Sequence, residues 1–187
     1  MMSRRSTAMP SWAFLWQDDT TRHRILGIDP GTRLAGFAVL DAHGMDTSYV
    51  ASGAVMLGSR QGLPQRIGEL FGRIQELITL YQPQELALEG AFMHLYPQAA
   101  LRLGEARGAV LAAASHHGIP VWEYPPAQVK EVLTGSGAAS KARVQAMVVR
   151  LLQLSGTPRS DAADALGLAI CHIRSRESVW RQQEVTA

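Results

Sequence analysis

The sequence predicts an α/β fold, a mixed five-stranded sheet with helices on both faces. Three short apolar segments come first and are joined by short links, which is typical of an antiparallel meander. Two further strand-like segments each follow a long helical pattern, and a strand reached through a helical crossover is expected to run parallel to its neighbour. The predicted order is therefore βββαβαβ followed by helices, which indicates a sheet between two helical layers.

The strands of the predicted meander occupy residues 25–29, 34–40 and 48–57. The first of them, ILGID, is apolar until it ends on the carboxylate of Asp29. Pro30 follows at once with a glycine and indicates a tight turn into the second strand. This leaves a question, because an acid at the end of a buried strand can form a turn, bind a metal or begin a phosphate-binding loop.

The clearest helix precedes the fourth strand. Its apolar residues recur at spacings of three and four, which gives the helix one apolar face. These residues are Ile67, Leu70, Phe71, Ile74, Leu77, Ile78 and Tyr81. Pro64 suits the first turn of this helix and Pro83 lies just past its end. The fourth strand then covers residues 85–89, with the sequence ELALE.

A second helix is predicted over residues 98–117, and the fifth strand over residues 119–124. Gly104, Gly108 and Ala112 recur at a spacing of four and give this helix one flat side. Each glycine inside a helix costs about 1 kcal/mol relative to alanine. The flat side therefore indicates a close approach to another helix, either within the fold or across a dimer.

The second half of the chain combines two capped helices with a local excess of positive charge. Ser140 is expected to cap a helix over residues 141–154, and Ser160 a last helix over residues 161–176. Residues 101–150 hold six lysines and arginines against three glutamates, although the whole chain carries only +2. A net charge this small does not by itself indicate nucleic acid, so the location of the charge is more informative than its total.

The 187 residues suit one compact domain, and 47% of them are hydrophobic. Residues 1–24 are interpreted as a flexible N-terminal extension, residues 25–176 as the globular domain and residues 177–187 as a C-terminal tail. No apolar run reaches the roughly 20 residues of a membrane span. The single cysteine, Cys171, excludes an internal disulfide and is typical of a reducing compartment. A cytoplasmic location is therefore expected.

Four acidic side chains stand where the pattern otherwise predicts a core. Asp29 and Glu89 end the first and fourth strands, and Asp161 and Asp164 fall in the first turn of the last helix. If the two strands are parallel neighbours, their carboxyl ends meet at one edge of the sheet, where the ligands of open α/β sheets gather. Asp161 and Asp164 are three residues apart and share a helix face.

Such a set of carboxylates is typical of a site for hard divalent cations. Four carboxylates at one place repel one another and raise one another's pKa, and a cation removes that cost. Two Mg²⁺ ions about 4 Å apart stabilise the attacking and leaving oxygens of phosphodiester hydrolysis. The absence of a cysteine or histidine cluster argues against zinc. His172 is eight residues from Asp164, about 12 Å along the helix axis, and is too far away for the first metal shell.

Each acid also has a purely structural explanation. Asp29 before Pro-Gly forms a common turn, and Asp161 and Asp164 gain about 0.3–1 kcal/mol near a helix N-terminus. Glu89 is harder to explain in this way, because it lies between apolar segments where burial is expected, and buried unpaired glutamates are rare. The structural explanation therefore needs three coincidences.

A resemblance to a known family is carried by six segments: ILGIDPGTRLAGFAVLD, LALEGAFMH, ALRLGEARGAVLAAA, QVK, ASKARVQAMV and DAADALGLAI. In order and spacing they resemble the RuvC family, the Holliday-junction resolvases of bacteria, over residues 24–172. The combination is specific. GIDPG alone is also similar to the first strand and glycine turn of actin-like and sugar-kinase folds.

The resemblance implies an RNase H-like fold and a homodimer that cuts four-way DNA junctions symmetrically, with two Mg²⁺ or Mn²⁺ ions in each active site. One ion is expected to activate a water and the other to stabilise the leaving 3′-oxygen, which leaves a 5′-phosphate and a 3′-hydroxyl. The implied catalytic metal ligands are Asp29, Glu89, Asp161 and Asp164. The implied partners are the branch-migration proteins RuvA and RuvB.

The resemblance also implies three residues that contact DNA. Lys130 in QVK and Lys141 in ASK are expected to lie near the site, where a lysine supplies a point charge for phosphate. Phe92 is expected to reach an unpaired or distorted base, and such stacking contributes about 1–3 kcal/mol. The residues alone also allow both lysines to be solvated surface charges and Phe92 to close the core. Residues 94–97 (HLYP) replace a polar pair often found in the family, so Tyr96 offers a second stacking surface.

Three other functions fit part of the pattern. An RNase H-like nuclease that acts on RNA or simple duplex shares the carboxylates, and a preference for junctions over linear duplex separates the two. An ATP-binding domain of the actin and sugar-kinase type needs a second phosphate loop and a repeated half, and the 187 residues show neither. A junction-binding protein without catalysis is argued against by the presence of all four acids.

Overall fold

The computed structural model describes residues 22–44, 46–58, 60–90 and 97–184. The strands are β1 (His23–Asp29), β2 (Leu34–His43), β3 (Asp46–Met56), β4 (Glu85–Glu89) and β5 (Val121–Tyr124). The helices are α1 (Leu63–Tyr81), α2 (Pro97–His116), α3 (Pro126–Thr134), α4 (Lys141–Leu151) and α5 (Ser160–Glu184). The five strands and the two long helices between them follow the predicted order.

The five strands form one mixed sheet in the order β3-β2-β1-β4-β5. β1, β2 and β3 pair antiparallel, which confirms the predicted meander. β4 pairs in parallel with β1, and β5 pairs in parallel with β4, as expected for strands reached through helical crossovers. The predicted α/β class with a mixed five-stranded sheet is confirmed.

Helices cover both faces of this sheet, because the side chains of each strand alternate between two cores. On one face, Leu26 and Ile28 of β1 pack with Leu70 and Ile74 of α1 and with residues of α2. On the other face, Ile25 packs with residues of α3, α4 and α5. Full burial of an aliphatic side chain contributes about 1.5–3 kcal/mol, so these two layers supply most of the driving force for the fold.

Two helix ends differ from the prediction. α5 continues to Glu184 instead of ending near residue 176, because residues 168–184 contain neither glycine nor proline to break it. α4 ends at Leu151 instead of residue 154, and Gln153 just beyond it has a φ of 51° in the left-handed region. None of the described helices combines the length and apolar character needed to cross a lipid bilayer.

Candidate active site

Two of the predicted carboxylates end neighbouring parallel strands. Asp29 is the last residue of β1, and Glu89 is the last residue of β4. The strands are aligned so that Ile28 lies opposite Leu88, one residue before each acid. Both carboxylates therefore leave the sheet at the same edge, as the helical crossover predicted.

The other two acids, Asp161 and Asp164, are carried to the same edge by α5, which packs directly on β1 and β2. Gly27 and Gly36 permit this close approach. A Cβ at Gly36 would overlap the backbone carbonyl oxygen of Asp161, and a Cβ at Gly27 would overlap the backbone of α5 one turn later. Because Gly36 is the sheet partner of Asp29, the first turn of α5 lies beside Asp29.

These four side chains, which we call the carboxylate group, act on one another electrostatically. The pKa of Asp29 is raised to about 7, mainly by burial and then by the negative charges of Glu89 and Asp164. Asp161 raises it further, whereas the ammonium of Lys141 lowers it. Among the described residues, no three Asp, Glu, His or Cys side chains lie close enough together to hold a metal ion.

A cleft of about 230 Å³ opens beside the carboxylate group. Glu89 and Asp164 line it together with Lys130 and Lys141, and apolar side chains of α3, α4 and α5 complete its wall. The Lys141 Nζ lies 2.7 Å from the Asp164 Oδ2, while the lysine side chain remains 67% exposed. Both predicted DNA-contacting lysines therefore lie in the same cleft as two of the predicted metal ligands.

Lys130 and Lys141 are positioned by two short helices, and residues at the ends of these helices explain where each helix begins or ends. The Ser140 hydroxyl oxygen accepts a hydrogen bond from the backbone N–H of Arg143 at 3.3 Å, which confirms the predicted cap of α4. α3, which carries Lys130, has no counterpart in the sequence prediction. Its signals are Pro126 in the first turn, where a missing N–H costs nothing, and Gly135 just past its end with a φ of 76°.

The third predicted DNA-contacting residue, Phe92, lies outside the described residues, as do His94 and Tyr96. These residues belong to the segment 91–96 between β4 and α2. The expectation that Phe92 reaches a base therefore stays a prediction.

A second set of polar side chains lies at the opposite end of β4 and is buried. The His172 ring of α5 bonds with Nε2 to the carboxylate of Glu85, the first residue of β4, and its Nδ1 lies 2.8 Å from the Tyr124 hydroxyl. Arg176 forms an ion pair with Glu85. We call these four residues the buried cluster. The sequence pattern placed His172 outside the reach of a metal at the carboxylate group but gave no sign of its partners.

The pKa values indicate how charge is balanced in the buried cluster. Burial raises the pKa of Glu85, but hydrogen bonds from His172 and Arg176 outweigh burial and lower the pKa overall. Burial lowers the pKa of His172 in spite of the neighbouring carboxylate, so the ring is neutral. Nε2–H therefore donates to Glu85, and Nδ1 accepts from the Tyr124 hydroxyl. Arg176 supplies the positive charge that balances Glu85.

Comparison with known proteins assigns the family. A family model described as "Crossover junction endodeoxyribonuclease RuvC" matches residues 25–172. The chain belongs to the RuvC family. It is 51% identical over 152 residues to RuvC of Dechloromonas aromatica (strain RCB), which covers 81% of this chain and 85% of that relative. It is 49% identical over 149 residues to RuvC of Neisseria meningitidis serogroup B, with 80% and 84% covered.

Solved structures give the same fold. A structure described as T. thermophilus RuvC in complex with Holliday junction substrate matches with a TM-score of 0.79 and 33% identity, and covers 84% of this chain and 96% of that one. The yeast mitochondrial Holliday junction resolvase Ydc2 matches with a TM-score of 0.58 over 89% and 88% of the chains. Because the sequence identity to Ydc2 is only 12%, this match is evidence for the fold alone. The RNase H-like fold implied by the sequence resemblance is confirmed, and the ATP-binding alternative has no support in this family.

Proposed function

We propose that this member of the RuvC family is a metal-dependent Holliday junction resolvase that nicks four-way DNA junctions symmetrically. The observation that carries the proposal is the carboxylate group at one sheet edge, where burial and mutual repulsion raise the pKa of Asp29 to about 7. Carboxylates in this state are stabilised by a divalent cation. The similarity to a RuvC structure in complex with Holliday junction substrate supports four-way junction DNA as the substrate.

The donor set fits Mg²⁺ or Mn²⁺. Carboxylate oxygens are the ligands that hard divalent cations prefer, and four carboxylates suit two ions per active site. We propose Asp29, Glu89, Asp161 and Asp164 as these ligands. When bound, the ions supply an activated water and stabilisation of the leaving 3′-oxygen, which leaves a 5′-phosphate and a 3′-hydroxyl.

The remaining side chains of the site bind and orient the DNA. Lys130 and Lys141 line the cleft beside the carboxylate group, where their ammonium groups can hold phosphates close to the scissile bond. This matters because the carboxylate group itself repels a polyanion until its charge is neutralised. Phe92 is proposed to stack on a base that the distorted junction exposes.

A homodimer is the assembly that we propose. In α2, open space surrounds the positions where a Cβ would lie on Gly104 and Gly108. Leu101 beside them is 69% exposed and Leu111 is 36% exposed. The flat side predicted from the glycine spacing is thus uncovered by the described residues of this chain. A two-fold pair of copies provides two equivalent sites, which matches symmetric nicking of two strands.

The cellular setting follows from the same proposal. RuvA and RuvB, the branch-migration proteins, are proposed partners in recombination and DNA repair, and family membership supports them. Cys171, the single cysteine of the chain, is buried and free. A free thiol fits the reducing cytoplasm, where we place the activity.

The proposal is tested by cleavage of a mobile four-way DNA junction in the presence of Mg²⁺ or Mn²⁺. Asp29→Asn should abolish the paired symmetric nicks while junction binding survives. Loss of metal-dependent stabilisation worth several kcal/mol predicts a rate decrease of about 10³-fold or more. Asp46→Asn is the matched control, because Asp46 is exposed at the other end of the meander. Equal cutting of a linear duplex, or a fully active Asp29→Asn, would contradict the proposal.

Salt dependence tests the role of the lysines separately. Junction affinity should fall steeply as salt increases, because each phosphate contact releases counterions. Lys130→Gln and Lys141→Gln should each reduce the slope of log affinity against log salt by about 1. A shallow slope in the native chain, or unchanged slopes in both variants, would contradict the placement of DNA in the cleft.

A further inference from the structure

The ion pair between Lys141 and Asp164 has no role in the function proposed so far. Its Nζ–Oδ2 distance is 2.7 Å, and the side chains are 67% and 30% exposed. Lys141 is the first residue of α4, whose N-terminus is fixed by the Ser140 cap. Asp164 lies on α5, which is held against the sheet at Gly27 and Gly36. The pair therefore joins two helices across the mouth of the cleft.

The surroundings of this pair show which charges it balances. Glu89 lines the same cleft, and the ammonium of Lys141 also interacts with Asp29 and Asp161. Lys130 lies in the cleft as well, but it forms no ion pair with the residues that the structure describes. Of the two lysines, Lys141 thus acts as a positive charge inside the carboxylate group.

We propose that Lys141 is the internal counter-ion of the metal-free site, and that a divalent cation must displace it from Asp164. The displaced ammonium then becomes available to a DNA phosphate at the place where the reaction occurs. The inference rests on the proposed function in one respect, namely that Asp164 is a metal ligand.

Competition between Lys141 and a metal ion for Asp164 predicts in which direction a substitution of Lys141 changes the metal affinity. An ion that enters the native site must break the Lys141–Asp164 pair, whereas in Lys141→Gln the carboxylate is free. Lys141→Gln should therefore bind the metal more tightly, by about fivefold, since partly exposed ion pairs contribute little more than that. By reciprocity, a phosphate that holds Lys141 should tighten metal binding to the native chain.

The test is calorimetric titration of Mn²⁺ into the full-length, DNA-free chain. Lys130→Gln is the matched control, because it removes one positive charge from the same cleft without breaking an ion pair. Lys141→Arg, which keeps the charge and the pairing, should restore the native affinity. A Lys141→Gln chain that binds Mn²⁺ more tightly than Lys130→Gln supports the proposal. Equal or weaker binding in Lys141→Gln overturns it.

Failure of the proposed function has a different signature. If Asp164→Asn binds Mn²⁺ as well as the native chain does, then Asp164 is not a ligand, and both proposals fall.

A second measurement follows the lysine directly by NMR of ¹⁵N-labelled side-chain ammonium groups during a Mg²⁺ titration. The Lys141 signal should shift in step with metal occupancy while the Lys130 signal changes little. A Lys141 signal that is unchanged at saturation overturns the displacement.

Discussion

The two ends of β4 carry glutamates whose charges are balanced in different ways. Glu85 at the start of the strand is paired with Arg176 and bonded to the neutral His172, and its pKa is lowered. Glu89 at the other end belongs to the carboxylate group, where burial and like charges raise the pKa of Asp29 to about 7. The fold therefore balances the charge of Glu85 with the largely buried Arg176, whereas the described counter-charge of the carboxylate group is the exposed Lys141.

The largest expected effect on stability comes from removing the charge of Glu85 in the buried cluster. Glu85→Gln removes the charge that balances Arg176, whose side chain is only 13% exposed. Loss of one partner of a buried ion pair costs about 3–5 kcal/mol, because the other charge is left without compensation. Urea unfolding of the metal-free chain at neutral pH should show a decrease in the free energy of unfolding of about 3 kcal/mol.

A matched control for this substitution is Glu76→Gln. Glu76 is 66% exposed and pairs with Arg73 on the surface of α1. Exposed ion pairs of this kind contribute little to stability, so the unfolding midpoint should stay where it is in the native chain. Equal decreases in the free energy of unfolding for Glu85→Gln and Glu76→Gln would mean that the buried ion pair contributes no more to stability than an exposed one.

The next effect has the opposite sign and concerns the carboxylate group at the other end of β4. Asp29→Asn removes a largely buried charge that repels its neighbours, so the metal-free chain should become more stable even though the proposed function predicts loss of cleavage. A pKa raised from 3.8 to about 7 corresponds to about 4 kcal/mol at pH 8. The gain should be about half of this, on the order of 2 kcal/mol, because the polar amide of asparagine is still removed from water. Denaturant unfolding of both chains in the presence of a chelator measures the difference.

The pH dependence separates the two ends of β4 further. The folded state holds the Asp29 proton up to about pH 7 and the unfolded chain only up to about pH 4, so stability falls as pH rises between these values. His172 acts in the reverse direction, because burial lowers its pKa, so stability falls as pH decreases below about 6.5. In Asp29→Asn the histidine slope should remain, joined below about pH 5 by the slope of Glu85, whose lowered pKa acts in the same direction. Native and Asp29→Asn curves that run parallel from pH 4 to 7 would contradict this assignment.

The carboxylate group was predictable because its residues occupy positions that have a meaning in sequence. Asp29 and Glu89 end strands, and the helical crossover makes those strands parallel. Asp161 and Asp164 are three residues apart and therefore share one helix face. The role of Gly27 and Gly36 in bringing α5 close to the sheet was not predictable, because nothing in the sequence pattern distinguishes these two glycines. The family resemblance then supplied the roles that positions alone left open.

The buried cluster was not predictable, because its contacts join residues far apart in the chain. Glu85 is 87 residues from His172, and Tyr124 is 48 residues from it. Glu85 is the first residue of ELALE, where an acid looks like an ordinary polar strand end. The Lys141–Asp164 pair is of the same kind, since only the packing of α4 on α5 brings the two residues together.

The smallest expected effect tests whether the buried cluster contributes only to stability and not to activity. Tyr124→Phe keeps the ring but removes the hydroxyl that donates to His172 Nδ1 at 2.8 Å. A buried acceptor is then left without its donor, which costs about 1 kcal/mol in the free energy of unfolding. Urea unfolding at neutral pH measures this loss against the native chain.

Tyr124 is also the sheet partner of Glu89, and its carbonyl oxygen accepts from the backbone N–H of Gly90 at 2.8 Å. Because that bond involves only backbone atoms, Tyr124→Phe should leave it intact and should leave Mn²⁺ affinity and junction cleavage at native values. A loss of metal affinity without a matching loss of stability would show that the hydroxyl acts on the carboxylate group. The two ends of β4 would then be one coupled system, with α5 as the element that connects them.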